Sequence, residues 1–163
     1  MSDIGNRAAS LAGLALERDA IWLYDALAAL ERDPRRRAAF EAIAASERRH
    51  AAIWEAKLRS LGEEPPSARR PSWRVRQIAV LARLFGTRAV SDMVKALEGF
   101  EERVYGEHAG VPEVAEIAAD EAKHAAIWSE LDGRGGGSGG ERRAHLTEIQ
   151  AREPWHRSGA GGA

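Results

Sequence analysis

The sequence predicts an all-α protein, and three observations carry that prediction. Hydrophobic residues make up 44% and charged residues 30% of the 163 residues, a balance that suits amphipathic helices. Alanine and leucine, which favour helices, are prominent, whereas β-branched runs are few. One eight-residue string occurs twice, as ERRHAAIW at 47–54 and as EAKHAAIW at 121–128, each time in a segment with a helical pattern. The repeat indicates a duplicated helical hairpin.

The first two predicted helices form one hairpin. Apolar residues recur at helical spacing from Arg7 to Arg32, and Asp33-Pro34 ends this segment. The same dipeptide starts the next helix, with Asp33 as N-cap and Pro34 in the first helical position, and Gly62 ends that helix. Because the connection is short, we expect the two helices to be antiparallel.

A connector and a short helix follow the first hairpin. Residues 63–71 contain three prolines and predict a loop, whereas SWRVRQIAVLARLF at 72–85 predicts an amphipathic helix. Two parallel bundle helices that are joined end to start need a long crossover, which this segment can supply. The short helix offers four apolar side chains for packing: Trp73, Ile78, Leu81 and Phe85.

The second hairpin and a tail complete the chain. A third main helix is predicted over 87–108, a turn over 110–112, and a fourth helix after it. The string GRGGGSGG at 133–140 is typical of a flexible linker. We therefore expect a four-helix bundle with a crossover helix between helices two and three at 1–132, and a glycine-rich linker and tail at 133–163.

Composition argues against several classes of function. The formal net charge is -1, whereas a nucleic-acid partner normally requires a basic excess. The absence of cysteine excludes disulfides, thiolate zinc sites and cysteine-held iron-sulfur clusters within this chain. No apolar run reaches the roughly 20 residues that span a bilayer, and no signal pattern is present. We expect a soluble, cytoplasmic protein in which any metal is bound by Glu, Asp and His.

Each copy of the repeated string carries a Glu-x-x-His pair, Glu47 with His50 and Glu121 with His124. Residues three apart lie on one face of a helix, so each pair directs a carboxylate and an imidazole the same way. A single such pair is weak evidence, because Glu and His are common on solvated faces. Two copies in phase with Ala-Ala-Ile-Trp make a metal centre the stronger interpretation, and a duplicated site that no longer functions is the main alternative.

A looser repeat lies upstream of each copy. The tripeptide Ala-Leu-Glu ends at Glu17 and again at Glu98, and a tyrosine follows each glutamate seven positions later, at Tyr24 and Tyr105. The two tyrosines are two turns from these glutamates, so we expect their hydroxyls to reach metal-binding carboxylates of other helices and orient them. A backbone carbonyl is the alternative partner for such a hydroxyl.

Together the hairpins supply the ligands of a dinuclear metal centre. One Glu from each of two helices and Glu-x-x-His from each of the other two is the set found in di-iron and di-manganese bundle proteins. Four buried carboxylates carry about -4, which two divalent ions balance. This chemistry favours iron or manganese, with zinc as a competitor in vitro. The predicted ligands are Glu17, Glu47, His50, Glu98, Glu121 and His124, whereas Trp54 and Trp128 are expected to be packing residues.

These positions resemble the rubrerythrin branch of the ferritin-like superfamily over residues 7–132. The segment PSWRVRQIAVLARLFGTRAV and the tail string EPWHRSGAGGA look more specifically like the erythrin domain of membrane-bound ferritins, which is fused to a vacuolar-iron-transporter-type membrane domain. The resemblance implies a cytoplasmic, dimer-forming di-iron domain that oxidises ferrous iron with oxygen or peroxide in iron detoxification or export. It also implies that this chain is the front part of a longer protein tethered to the inner face of the membrane.

One position departs from the rubrerythrin pattern. Rubrerythrins have a further glutamate one turn before the ligand of helix three, where this chain has Lys95. A cation there argues against redox-linked ligand switching. Without a cysteine-bound iron as internal electron donor, peroxidase turnover requires an outside reductant.

Three functions follow from these observations. The first is a ferroxidase-type oxidoreductase, in which Glu47 and Glu121 bridge two iron ions while the remaining ligands bind terminally. The second is a non-catalytic iron-sensing or dimerisation module that regulates an attached iron transporter. The third is a metal-free helical interaction domain, for which Glu47→Ala and Glu121→Ala would stabilise the fold by removing buried charge.

Overall fold

A computed structural model describes residues 3–106 and 112–133 of the chain. Within these ranges its side-chain description covers 7–97, 99, 117, 119, 120, 123, 124 and 126–131. The described residues form helices joined by loops and contain no strand, so the prediction of an all-α protein is confirmed. None of the described helices is both long enough and apolar enough to cross a lipid bilayer.

Five α-helices follow one another in the described part of the chain. Their bounds are Asp3–Leu30 for α1, Pro34–Ser60 for α2, Trp73–Phe85 for α3, Ser91–Gly106 for α4 and Pro112–Gly133 for α5. The chain divides into two units at Met1–Gly133 and Arg134–Ala163, and the second unit lies outside the described residues. Helix α1 packs along α2 and against α3, and α5 packs against α2 and α4.

Helix α2 has the ends that the sequence predicts, whereas α1 spans Asp3–Leu30 and not the predicted 7–32. The Asp33 carboxylate accepts a hydrogen bond from the backbone N–H of Arg35 at 2.9 Å, and Pro34 opens α2. After α2, Gly62 adopts a φ of +76°, a conformation that glycine takes without a steric penalty. Two ion pairs join the helices in antiparallel order, Arg18 to Glu55 and Arg48 to Asp25, and a third joins Arg7 of α1 to Glu63 just after α2.

An aromatic cluster lies where α1, α2 and α5 meet. Tyr24, Phe40 and Trp128 are buried, with ring centroids 5.2 to 6.4 Å apart. The buried guanidinium of Arg36 lies over the rings of Phe40 and Trp128 and forms an ion pair with Glu31 at 3.0 Å. This cluster fixes α5 on the first hairpin, because Trp128 is the α5 member of the stack.

Helix α3 buries only one of its faces. Ile78 is buried and Leu81 is partly buried, in accord with the sequence prediction. The other two apolar residues offered for packing, Trp73 and Phe85, are 63% and 70% exposed. Trp73 is exposed because α3 packs through its opposite face, whereas Phe85 is the last residue of the helix.

The third main helix begins later than predicted. Gly86, with a φ of +86°, breaks the chain after α3, and a 3-10 helix at Thr87–Val90 precedes α4. The Thr87 hydroxyl donates to the carboxylate of Glu31, which anchors this 3-10 helix to the end of α1. The predicted turn at 110–112 falls largely on residues outside the described part of the chain.

Gly13 provides a test of the packing between α1 and α2. A Cβ atom on Gly13 would lie 2.5 Å from the ring of the buried Trp54, whereas one on Gly99 in α4 would meet nothing within 4 Å. We expect Gly13→Ala to lower the free energy of unfolding by about 1 to 3 kcal/mol through overpacking. Gly99→Ala should raise it by about 0.5 to 1 kcal/mol, because alanine is the better helix former. Urea unfolding of both variants checks this, and a neutral Gly13→Ala would contradict the close approach.

Candidate metal centre

Two carboxylates and one imidazole converge between α1 and α2. Glu17 of α1 and Glu47 and His50 of α2 are each 1% exposed, and one ligand atom from each lies within 4.8 Å of the others. The Nδ1 atom of His50 is 3.3 Å from Glu47 and 3.6 Å from Glu17. The helical spacing of Glu47 and His50 places both on the inner face of α2, where Glu17 meets them. Such a group is chemically able to hold a metal ion.

A second imidazole reaches the same group from α5. The Nδ1 atom of His124 is 3.1 Å from Oε1 of Glu47, while Oε2 of Glu47 faces His50. The ring centroids of the two histidines are 6.2 Å apart. Glu47 therefore lies between two imidazoles and presents one carboxylate oxygen to each, an arrangement suited to a carboxylate that bridges two ions.

Four of the six predicted ligands thus have described side chains that lie together. Of the other two, Glu98 belongs to α4 and Glu121 to α5, but the structure describes only their backbone. For Tyr105 in α4, too, the structure describes only the backbone. Their predicted roles therefore fall outside the described side chains and stay predictions.

The two tryptophans near the site pack in the core as predicted, and each also donates a hydrogen bond. Trp54, predicted to be a packing residue, is buried but also donates its indole N–H to Oε1 of Glu17 at 3.3 Å. Trp128 donates its indole N–H to the hydroxyl of Tyr24 at 2.7 Å. The contact of Tyr24 with a ligand carboxylate remains a prediction. A buried indole N–H needs a hydrogen-bond acceptor, and this requirement could have predicted that Trp54 donates to a polar residue of the site.

Asp120 is a further polar residue that the sequence prediction missed. Its Oδ2 atom lies 3.2 Å from Nε2 of His50, so this imidazole has a carboxylate on each side. Asp120 also accepts hydrogen bonds from Lys123 at 2.6 Å and from Ser46 at 3.4 Å. Metal-binding histidines usually donate their second ring N–H to an oxygen, a rule that gives a reason to look for such an acid. The rule does not identify the residue or the helix that supplies this oxygen.

The buried carboxylates and imidazole share protons. Burial, together with the neighbouring Glu47, raises the pKa of Glu17 to about 7. Burial opposes ionisation of Glu47 as well, but hydrogen bonds from His124 and His50 hold the pKa of Glu47 well below its usual range. Burial by itself would lower the pKa of His50, yet hydrogen bonds to Glu17 and Glu47 raise it to about 10. At neutral pH the metal-free cluster therefore consists of a cationic His50, an anionic Glu47 and a partly protonated Glu17.

This donor set fits a divalent transition metal. Carboxylate oxygens with a minority of imidazole nitrogens suit iron, manganese or zinc. A bound cation would replace the protons of Glu17 and His50, because ligands must be deprotonated to coordinate. The bound ion would then balance the negative charge of the buried carboxylates, as the protons do in the metal-free protein.

Comparison of the chain with protein-family models, with curated proteins and with solved structures finds no match. The interpretation of the site therefore rests on the duplicated motif and on the contacts among its side chains. The resemblance to rubrerythrins stays a prediction from the motifs.

The shared protons make the stability of the metal-free protein pH-dependent. In the folded protein the pKa of Glu17 is raised from 4.5 to about 7 and that of His50 from 6.5 to about 10. Between the ordinary and the raised values the folded protein therefore binds more protons than the unfolded chain, and its stability falls as the pH rises. The free energy of unfolding in the presence of EDTA should therefore fall, by roughly 2 kcal/mol or more, between pH 6 and pH 9. Urea unfolding at both values measures it. The double variant Glu17→Gln/His50→Gln should show a clearly smaller fall, and a wild-type protein as stable at pH 9 as at pH 6 would contradict the proton sharing.

Proposed function

We propose that the chain is a ferritin-like di-iron protein that binds ferrous iron and oxidises it with oxygen or peroxide. The single observation that carries the proposal is the buried convergence of Glu17, Glu47, His50 and His124 from three helices, with Glu47 between the two imidazoles. The proposed setting is a cytoplasmic homodimer that acts in iron detoxification or export, with the resemblance to membrane-bound ferritins as its support.

The proposed architecture is a four-helix bundle of α1, α2, α4 and α5 with α3 as the crossover. Three contacts support it: α1 packs on α2, α4 on α5, and α5 on α2. Helix α3 lies between α2 and α4 in the chain and packs on α1, as a returning connection would. In such a bundle Glu98 and Glu121 would complete the ligand set from α4 and α5.

The burial of these charged groups favours a metal over a purely structural role. Replacing buried ionic groups by apolar residues of similar size is often neutral or stabilising, so stability alone gives little reason to retain them. The repeated Glu-x-x-His motif supplies both histidines, and both contact Glu47. A metal-free interaction domain would not need the two copies of the motif to meet.

The proposed reaction takes two electrons from two ferrous ions and gives them to one oxidant. With oxygen, two Fe²⁺, one O₂ and two protons yield two Fe³⁺ and one H₂O₂. With peroxide, two Fe²⁺, one H₂O₂ and two protons yield two Fe³⁺ and two H₂O. Anionic carboxylates stabilise the product ion more than the substrate ion, because Coulomb attraction grows with the charge. The residues Glu17, Glu47, His50 and His124 would hold the ions, and the surrounding core keeps bulk water from the site.

Anaerobic ferrous titration followed by air tests the proposal. We expect about two ferrous ions per chain, as in di-iron bundle proteins, and uptake of about one oxygen molecule per two irons on exposure to air. Glu47→Gln removes the central carboxylate and should abolish stoichiometric binding, whereas Glu41→Gln at an exposed position of the same helix should bind like the wild type. The absence of stoichiometric iron binding in a folded wild-type protein would overturn the proposal. Binding without oxidation by either oxygen or peroxide would overturn the ferroxidase role and favour the iron sensor.

Asp120 should strengthen metal binding through His50. We expect Asp120→Asn to weaken Mn²⁺ or Zn²⁺ binding by about 10- to 100-fold, because the acid orients His50 and raises the basicity of its ring. Asp25→Asn, which changes an exposed acid paired with Arg48, is the matched control and should leave affinity unchanged. Calorimetric titration measures both variants, with thermal unfolding as a check on folding. Equal affinities for Asp120→Asn and the wild type would contradict the role of Asp120.

A further inference from the structure

The outer face of α3 carries a stripe of exposed apolar side chains. Trp73, Val80 and Leu84 are 63%, 56% and 67% exposed. At 100° per residue these three positions fall within about 40° of one another on the helix, opposite the stripe that packs into the core. Phe85, the last residue of the helix, is also 70% exposed but lies outside this stripe. Scattered exposed apolar residues are normal, but an aligned stripe of this kind marks an interaction surface.

The same segment is strongly cationic. Residues 65–91 contain six arginines and no acidic residue, although the chain as a whole has a net charge of -1. All six are exposed: Arg69, Arg70, Arg74, Arg76, Arg83 and Arg88. On the helix, Arg76 and Arg83 flank the apolar stripe on one side and Arg74 on the other. The surface therefore offers apolar contact at its centre and positive charge at its edges.

We propose that this outer face of α3 binds the surface of an anionic phospholipid bilayer. A helix lying in the membrane interface inserts apolar side chains between the lipid headgroups, while flanking arginines bind the phosphates. Tryptophan favours this interfacial depth. The inner face of α3 is already held in the core by Val75, Ile78 and Ala82, so the helix is preformed and binding need not order it.

Charge complementarity selects the bilayer over the other possible occupants. A symmetric contact with a second copy of α3 would set one cationic segment against another. The tail at 134–163 contains five arginines and three glutamates, so it too is cationic. A nucleic acid would neutralise the arginines but would leave the Trp73, Val80 and Leu84 stripe in water. An anionic bilayer satisfies both the charge and the apolar stripe.

Vesicle co-sedimentation of the full chain tests the proposal. We expect binding to phosphatidylcholine vesicles that contain phosphatidylglycerol, and at least tenfold weaker binding to phosphatidylcholine alone. Arg74→Gln/Arg83→Gln removes two flanking charges and should weaken binding about 10- to 30-fold. Val80→Gln/Leu84→Gln keeps the charge and removes apolar area, and should weaken binding at least tenfold.

Two matched controls separate this surface from general effects. Arg48→Gln/Arg59→Gln makes the same charge change at exposed positions of α2, and Ala38→Gln/Ala42→Gln repeats the four-residue spacing on the exposed side of α2. Both should bind like the wild type, with circular dichroism showing all variants folded.

No binding to the anionic vesicles, or equal loss in controls and α3 variants, would overturn the proposal. A wild-type dimer that Val80→Gln/Leu84→Gln converts to monomers, with no vesicle binding, would assign the face to a second copy. None of these substitutions touches the metal-centre residues, so failure here leaves the iron proposal standing.

Discussion

The contact of Glu47 with two imidazoles is the constraint on which the rest of the structure depends. A carboxylate that is 1% exposed needs partners to remain charged, and its two oxygens find them in His50 and His124. The first partner belongs to the same helix and requires only the three-residue spacing. The second belongs to α5, so the other carboxylate oxygen of Glu47 gains its partner only when α5 is docked on the first hairpin. A polar contact thereby specifies a helix arrangement that apolar packing alone would leave less defined.

Apolar clusters lie on both sides of this polar layer along each helix. On α1, Leu14 belongs to one cluster and Ala20 to the other, with Glu17 between them. On α2 and α5 the order is the same: residues of one cluster, then the polar positions, then residues of the other. The rings of Trp54 and Trp128 therefore occupy equivalent places on opposite sides of the layer. The two copies of Ala-Ala-Ile-Trp close the site from two directions.

Sequence patterns specify what lies within one helix far better than what lies between helices. The spacing of Glu47 and His50 and the Asp33-Pro34 boundary are local, and the structure has both as predicted. The hydrogen bond from Trp54 to Glu17 and the contact of Asp120 with His50 depend on how helices from different parts of the chain meet. Periodicity shows which face of a helix is apolar but not whether a neighbour covers it. For α3 it identified Trp73 and Phe85 as side chains available for packing, but it did not show that both stay exposed.

The two faces of α3 explain how one small domain can carry two separable surfaces. Its inner residues Val75, Ile78 and Ala82 belong to the cluster that includes Trp128 and flanks the polar layer, so the inner face contributes to the core that supports the residues of the candidate metal centre. Its outer residues make no part of that core, as the exposure of Val80 and Leu84 shows. A change on the inner face should therefore disturb both fold and site, whereas a change on the outer face should alter only what the protein binds there. Metal binding gives no physical reason for the outer stripe of α3 to be apolar or for its flanks to be cationic. We therefore attribute this surface to a separate binding partner.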